Sequence, residues 1–473
     1  MSLCRLLLAA SFVPFALAAC AGPGDGGDGD DVGPDLTPDP ADTSCSPIFR
    51  QGILPEYRIT ISADEWAKLE DEFLHVVERT AMMLDPEPYH PVQVVYDDGV
   101  APPVEVPNTL LRLKGASSWL QTIMLDARPK MQFVLAFNEI DPQGRFEGVR
   151  KVELDMPRSD TTFIRQRLAL HYLRSAGTYA QCANNARVVI NGQYYGLYTH
   201  LERMDKELLQ RYFGSDGIED EGDLWKGGRT IKTNEDTFSW DRIDRFWYQV
   251  HTAADLDALA DMDASVYEWA AEAVVGAADG YYNGRANFYL YDHPTRGFIW
   301  FPHDMDTAFA DDFLPDDADP VFPTCAGRWE KDWRHYLLTL NEAPWREKYV
   351  AALREARSAY DPMLLDEKVG RWQAQIRASA AADERRPFSM DMHDTALSAT
   401  RRYIGERSQF IDMWLACRDG GGPDADGDGF MWCHECDDHD ASVNPGAVEI
   451  CNLRDDDCDG RIDNVGPDTT CPQ

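Results

Sequence analysis

The C-terminal stretch carries residues whose types and spacing suit the binding of a hard cation. Asp424, Asp426 and Asp428 alternate with small residues, Gly429 follows, and Glu435 stands in the twelfth place counted from Asp424. This is the D-x-D-x-D-G-x5-E pattern of a calcium loop. Carboxylates on alternate residues converge on one ion, glycine permits the sharp turn, and an acid in the twelfth place closes the shell with both oxygens. A weaker copy, Asp455-Asp456-Asp457-Cys458-Asp459-Gly460, offers Asp455, Asp457 and Asp459, with Asp463 nearby but no acid in the twelfth place. Gly420-Gly421-Gly422-Pro423 reads as a linker, so no entering helix is expected. Farther back, Asp304-Met305-Asp306 follows the apolar run Gly297–Phe301. Alternate residues of a strand share a face, and a bend at its end would aim both acids at one ion. The histidines and serines form no Ser-His-Asp order, so hydrolase chemistry is not indicated.

These groups need elements to hold them. Tyr57–Ile61, Val92–Tyr96, Thr109–Leu113, Met131–Phe137 and Arg187–Ile190 read as strands. Asn191-Gly192, between Val188-Val189-Ile190 and Tyr194–Tyr198, is a hairpin signal. Helical patterning follows over Ala253–Leu259, Val266–Ala278, Arg346–Ser358 and Pro362–Ala381. Strands first and helices second predict an α+β domain over residues 46–417 with room for a cleft. The acidic, Cys-rich residues 418–473 form a separate small module stabilised by disulfides and calcium.

The chain has 473 residues, with 45 Lys plus Arg against 82 Asp plus Glu, a formal charge of −37. That balance excludes a nucleic-acid binder, which needs a basic face to displace counterions. Thirteen Trp and nineteen Tyr exclude a wholly disordered acidic chain. Residues 1–20 read as an export signal: Arg5, then the apolar run Leu6–Ala19. Leu17-Ala18-Ala19-Cys20 is similar to a bacterial lipobox, with Cys20 the lipidated residue. The Gly/Pro/Asp-rich residues 21–45 make a flexible tether. The expected location is the periplasm or cell surface, with the membrane reached through the lipid alone. Nine cysteines remain after Cys4 and Cys20. In an oxidising compartment some of them pair, and the spacing Cys433-His434-Glu435-Cys436 is read as structural disulfide before zinc or redox site.

Several motifs in order carry a family resemblance: Arg112-Leu113-Lys114-Gly115 with Ser117-Ser118-Trp119; Lys130; Arg165; the Asn191-Gly192 hairpin running into Glu202; Asp279 through Asn283 and Asn287 to Tyr291; and His303-Asp304-Met305-Asp306-Thr307. Over about residues 50–415 the sequence resembles the spore-coat CotH proteins, which look like atypical protein kinases. The resemblance implies a bilobal kinase-like fold holding ATP with Mg²⁺ or Mn²⁺. It implies Asp304 and Asp306 with Asn287 as metal ligands, Asp279 as the base that orients the acceptor hydroxyl, and Lys130, on a strand, as the phosphate-contacting lysine. Lys114 and Ser117 lie in a short Gly-containing loop over the phosphates, Glu202 lies at the interlobe hinge, and Lys226 matches a family lysine. His303 stands where Trp is usual, and Ala310 where Gly is usual. The implied reaction is phosphoryl transfer to a hydroxyl of a surface or matrix protein; the alternative is a catalytically idle surface protein acting in adhesion or coat assembly. Asp424–Asn464 resembles the metal-binding repeat appended to exported myxobacterial proteins.

Overall fold

The computed structural model describes residues 37, 39–82, 87–156, 158–217, 221–250, 256–284, 286–321, 345–458, 462–463, 465 and 471. Cys20, Cys325 and Asp459 lie outside them, as do residues 253–255 of the expected Ala253–Leu259 helix.

The first half builds a large sheet. Its strands are β1 (Glu56–Thr60), β2 (His90–Pro91), β3 (Gln93–Asp97), β4 (Val104–Val106), β5 (Leu110–Leu113), β6 (Phe133–Ala136), β7 (Lys151–Asp155), β8 (Ala183–Ile190) and β9 (Gln193–Glu202). They lie in the order β2-β5-β6-β7-β9-β8-β1-β3-β4. All pairs are antiparallel except β1 with β8. Register is set at the centre by the β8–β9 hairpin. Ile190 pairs with Gln193 across Asn191-Gly192, both of which take positive φ, 50° and 80°. A two-residue turn with two left-handed positions matches the strand twist, and Asn-Gly supplies it at least cost.

The second half adds a small sheet of β10 (Asp223–Lys226), β11 (Thr230–Ile231), β12 (Phe288–His293) and β13 (Gly297–Pro302), ordered β11-β10-β12-β13. In chain order the helices begin with α1 (Ala63–Leu74), α2 (Val76–Ala81), α3 (Ala116–Leu125), α4 (Arg165–Ser175), α5 (Lys206–Phe213) and α6 (Trp240–Gln249). They continue with α7 (Met262–Val275), α8 (Tyr281–Gly284), α9 (Trp345–Ser358), α10 (Pro362–Ala382) and α11 (Met390–Gly420). The arrangement is α+β. One apolar core joins α4, α7, α9, α10 and α11 to the small sheet through Trp225, Trp269, Trp300, Trp372 and Trp414. A second core fills the large sheet around Tyr57, Leu111, Phe133 and Tyr198.

Four expectations change. Gly115, at φ 78°, opens α3, so Ser117 sits in a helix and not in a phosphate-covering loop. Lys130 lies before β6 and not on a strand. The end of the expected 21–45 tether is docked: Asp39 caps a short turn at Pro40–Asp42, Asp42 pairs with Arg174, and Cys45 is bonded to Cys182. A helix does enter the acidic module, because α11 runs to Gly420 before the glycines end it. Cys417–Cys433, Cys436–Cys458 and Cys451–Cys471 are also disulfides. Cys433 and Cys436 therefore pair elsewhere and not with each other. Among the described residues no helix is long and apolar enough to cross a membrane. The four disulfides among the described residues fit an exported protein.

Candidate active site and cation loops

The open end of the β12–β13 hairpin brings two expected ligands together. Phe288 pairs with Pro302, and the His303 N–H donates to the Asn287 carbonyl at 3.0 Å. The chain therefore presents Asn287 just before β12 beside Asp304 just after β13. Both residues are left-handed, at φ 49° and 56°. That conformation costs a residue bearing a Cβ roughly 1–2 kcal/mol, and Asn and Asp tolerate it best. The expected bend after Gly297–Phe301 is thus a left-handed residue at Asp304.

Asp279 arrives from α7. That helix stops at Val275 on left-handed Gly276, short of the expected Ala278. Glu272 of α7 accepts from the Tyr282 N–H at 2.6 Å, and Asn283 donates to the Ala278 carbonyl at 2.5 Å, fixing the turn that carries Asp279. Arg407 of α11, fully buried, donates to the Ala273 carbonyl at 2.7 Å and braces the end of α7. The Asp279 carboxylate is held at both oxygens: Asn287 donates to Oδ2 at 2.9 Å, and the Thr307 hydroxyl donates to Oδ1.

Electrostatics ties these acids into one group. Burial, then the charge of Asp304, pushes the Asp279 carboxyl up to about 7. Burial, followed by Asp304 and Asp279, drives Asp306 well above the usual carboxylate range. Asp155 of β7 is raised to about 6 by burial and by Asp304, although Lys114 opposes the shift. Acids crowded this closely raise one another because like charges disfavour ionisation. Their oxygens are hard donors that a magnesium-class cation would satisfy, so the residues present fit the metal the family implies.

Cations face the acids. Lys114, just past β5, lies 2.7 Å from Glu153 Oε2 and also contacts Asp155. Burial opposes its charge, but those two carboxylates hold its ammonium above the ordinary lysine range. Arg203 shares Glu153. Lys226, at the end of β10, pairs with Tyr289 in the sheet and lowers the affinity of buried His303 for a proton, after burial itself. Glu202, the last residue of β9, is fixed by the Cys182 N–H at 2.9 Å and by Arg211.

Lys130 is engaged elsewhere. Its ammonium and the Asp383 carboxylate are both fully buried, 2.6 Å apart. The ammonium also donates to the Leu197 carbonyl at 2.5 Å and stands 4.3 Å above the Tyr198 ring. That geometry ties the large sheet to the segment after α10, and it leaves Lys114 as the lysine beside the acidic group. Glu153, Asp155, Arg203 and Thr307 were not singled out from the sequence. Alternation in Lys151-Val152-Glu153-Leu154-Asp155 was the available signal, since it sets two acids on one face of a strand.

In the acidic module Asp424, Asp426 and Asp428 offer oxygens that all lie within 4.8 Å of one another. Asp424 is shaped by the N–H groups of Gly427 and Gly429, at 2.6 and 3.0 Å. Glu435 is buried, and burial together with Asp428, Asp426 and Asp438 pushes its carboxyl up to about 7. The second cluster gathers Asp455 and Asp457 with Glu449, a residue the spacing did not assign as a ligand. Asp456 turns inward to the Asn452 side chain.

Residues 111–411 match the CotH kinase protein family, and the chain belongs to it. Residues 436–464 match the Cu-binding_MopE family, whose description reads "Putative metal-binding motif". Among curated proteins no relative matches the chain.

Proposed function

We propose that the protein transfers the γ-phosphoryl group of ATP to a hydroxyl of a surface or matrix protein, with Mg²⁺ or Mn²⁺, on a bilobal kinase-like domain. The observation that carries this reading is the gripped Asp279 carboxylate, with Asn287 bonded to one oxygen and Thr307 to the other. A carboxylate fixed at both oxygens is poised to orient an acceptor hydroxyl. Asp304, Asp306 and Asn287 would hold the metal ion, which supplies charge neutralisation at the phosphates. Lys114 would replace its carboxylate partners with phosphate oxygens, the role the resemblance gave to Lys130. Lys226 adds positive charge on the side of His303. Glu202 serves as a fixed strand end beside which the two halves meet.

The protein is exported and lipid-anchored through Cys20 in this reading. The two acidic clusters of the C-terminal module, Asp424, Asp426, Asp428 with Glu435 and Asp455, Asp457, Asp459 with Glu449, bind Ca²⁺.

The test incubates the oxidised chain with γ-labelled ATP and Mg²⁺ or Mn²⁺, beside Asp279→Ala and Asp304→Ala. Label transferred by the native chain and lost in both variants supports the reading. No label, with no ATP-dependent rise in melting temperature, replaces it with an idle kinase-like surface protein.

A further inference from the structure

We propose that the loop Asp424–Glu435 is a calcium-operated brace on the helical half of the kinase domain, and not only a fixture of the acidic tail. The loop lies entirely before the matched metal-binding motif, which begins at residue 436.

The argument starts from oxygens without donors. Both carboxylate oxygens of Glu435 are buried without a hydrogen-bond partner, and so is Asp426 Oδ2. Glu435 is 1% exposed. A buried carboxylate with no donor is costly, and its neighbours here are Asp428, Asp426 and Asp438, which make matters worse. A hard divalent cation at the Asp424, Asp426, Asp428 cluster is the partner whose chemistry resolves this, with Glu435 supplying its free oxygens.

The same loop is fastened to the domain at both ends. On the entering side, α11 runs to Gly420, and Gly422 packs so closely that a Cβ there would lie 2.5 Å from Cys417 Sγ and 2.8 Å from Trp432 Nε1. On the leaving side, Cys433 is fully buried in the main core and bonded to Cys417, and the Trp432 ring lies 5.7 Å from that of Phe410. Glu435 is two residues beyond Cys433. Drawing Glu435 onto an ion therefore fixes the segment that clasps the end of α11.

Helix α11 carries the effect inward. Arg407, three residues before Phe410, donates to the Ala273 carbonyl of α7 and, at 2.8 Å, to the Asp316 carbonyl. These contacts lie on either side of the Asp279 and Asp304–Thr307 segments. Cation binding that favours the folded clasp stabilises the domain by mass action. The inference rests on the phosphotransfer reading only for what the brace supports; its test does not use ATP turnover.

The experiment is calorimetry of the full oxidised chain with calcium chloride, magnesium chloride or chelator. It includes Asp426→Asn, Glu435→Gln and the double variant Cys417→Ala/Cys433→Ala, with calcium affinity measured by titration. Calcium at ~100 times its dissociation constant should raise the main transition by about 3 °C. Asp426→Asn should lose the shift, and Glu435→Gln should weaken calcium about tenfold or more. The double cysteine variant should still bind calcium but show a main transition that no longer responds. Binding without any shift of the main transition in the native chain overturns the brace. So does an equal shift with magnesium at the same concentration, or a shift that survives Asp426→Asn. Absence of calcium binding overturns the site itself.

Discussion

Asn287 Nδ2 lies 2.9 Å from Asp279 Oδ2, and this bond joins the turn after α7 to the start of β12. Thr307, in the turn after β13, completes the grip. The carboxylate is therefore positioned by two segments that reach it from opposite directions, and its rotamer is set before any substrate arrives.

Thr307 is on this geometry a positioning residue. Thr307→Val keeps the shape but removes the hydroxyl, leaving Asp279 Oδ1 without its donor. The expected result is a fall in kcat of about tenfold, smaller than the ~10²–10⁴-fold a general base itself contributes because Asn287 still holds Oδ2, with KM for ATP little changed. Thr307→Ser should restore most of the rate. The pH–rate profile should also move toward higher pH in Thr307→Val, because a donor that favours the ionised carboxyl has been lost.

Asp279 also makes folding depend on pH. Its carboxyl is held near 7 in the folded chain against 3.8 for the free group. Between those values the folded state carries the proton more than the unfolded state does, so stability falls as pH rises through the window. Each pH unit in that window weakens folding by up to about 1.4 kcal/mol. Denaturant titrations of the metal-free chain at pH 5, 6 and 7 should show the decline. Asp279→Asn should make it shallower, the remainder coming from Asp155, Asp306 and Glu435. Mg²⁺ should also flatten it, by favouring the ionised forms.

How much of this was legible in the sequence depends on which physical signal each residue leaves. The Asn191-Gly192 hairpin follows from local turn chemistry, and its strands agree to a residue at the turn, but β8 begins four residues earlier and β9 ends four residues later than alternation indicates. Asp279, Asn287 and Asp304 were found because they occur in an ordered series of motifs, and the structure brings them together. Lys130 is found in a buried ion pair, which its sequence could not show, because a lysine on an apolar stretch looks alike whether it faces a phosphate or a buried partner. The partner, Asp383, is 253 residues away. Glu449 escaped for a similar reason: ligands brought in by disulfide-closed loops keep no fixed spacing. The entering helix at Gly420 was missed because three glycines read as a linker, whereas burial of Cys417 and Trp414 outweighs the low propensity of the last turn.

The two lysines can be separated by experiment. Lys114→Met removes a cation that already has carboxylate partners at the acidic group, so it should abolish ATP turnover while the chain stays folded. Lys130→Met strands the Asp383 carboxylate in a site with no water access. Breaking a buried pair from one side costs about 3–5 kcal/mol. Its signature is a large drop in melting temperature, with any activity loss following the unfolded fraction. If instead Lys130→Met melted normally and lost turnover, the phosphate role would return to Lys130.

Loss of the Cys45–Cys182 disulfide should be felt where the chain enters the domain. Cys45–Cys182 joins residues 137 apart, pinning the Asp39–Cys45 segment to β8 beside the Asp42–Arg174 pair. A cross-link over so long a loop removes much conformational freedom from the unfolded chain, and losing a native one typically costs about 2–5 kcal/mol. Cys45→Ala/Cys182→Ala should therefore lower the melting temperature by several degrees. It should also open the Asp39–Cys45 segment to limited proteolysis. The Arg174 guanidinium and His171 would keep the Asp42 carboxyl low only while that segment stays docked, since burial alone pushes it the other way. Acidification below about pH 4 should then release the segment in the double variant but not in the disulfide-bonded chain. Cleavage at residues 37–45 at about pH 2 and pH 7, read by mass spectrometry, checks both statements. Equal cleavage of the two proteins at both pH values would mean that the ion pair with Arg174, and not the disulfide, fastens the tether to the domain.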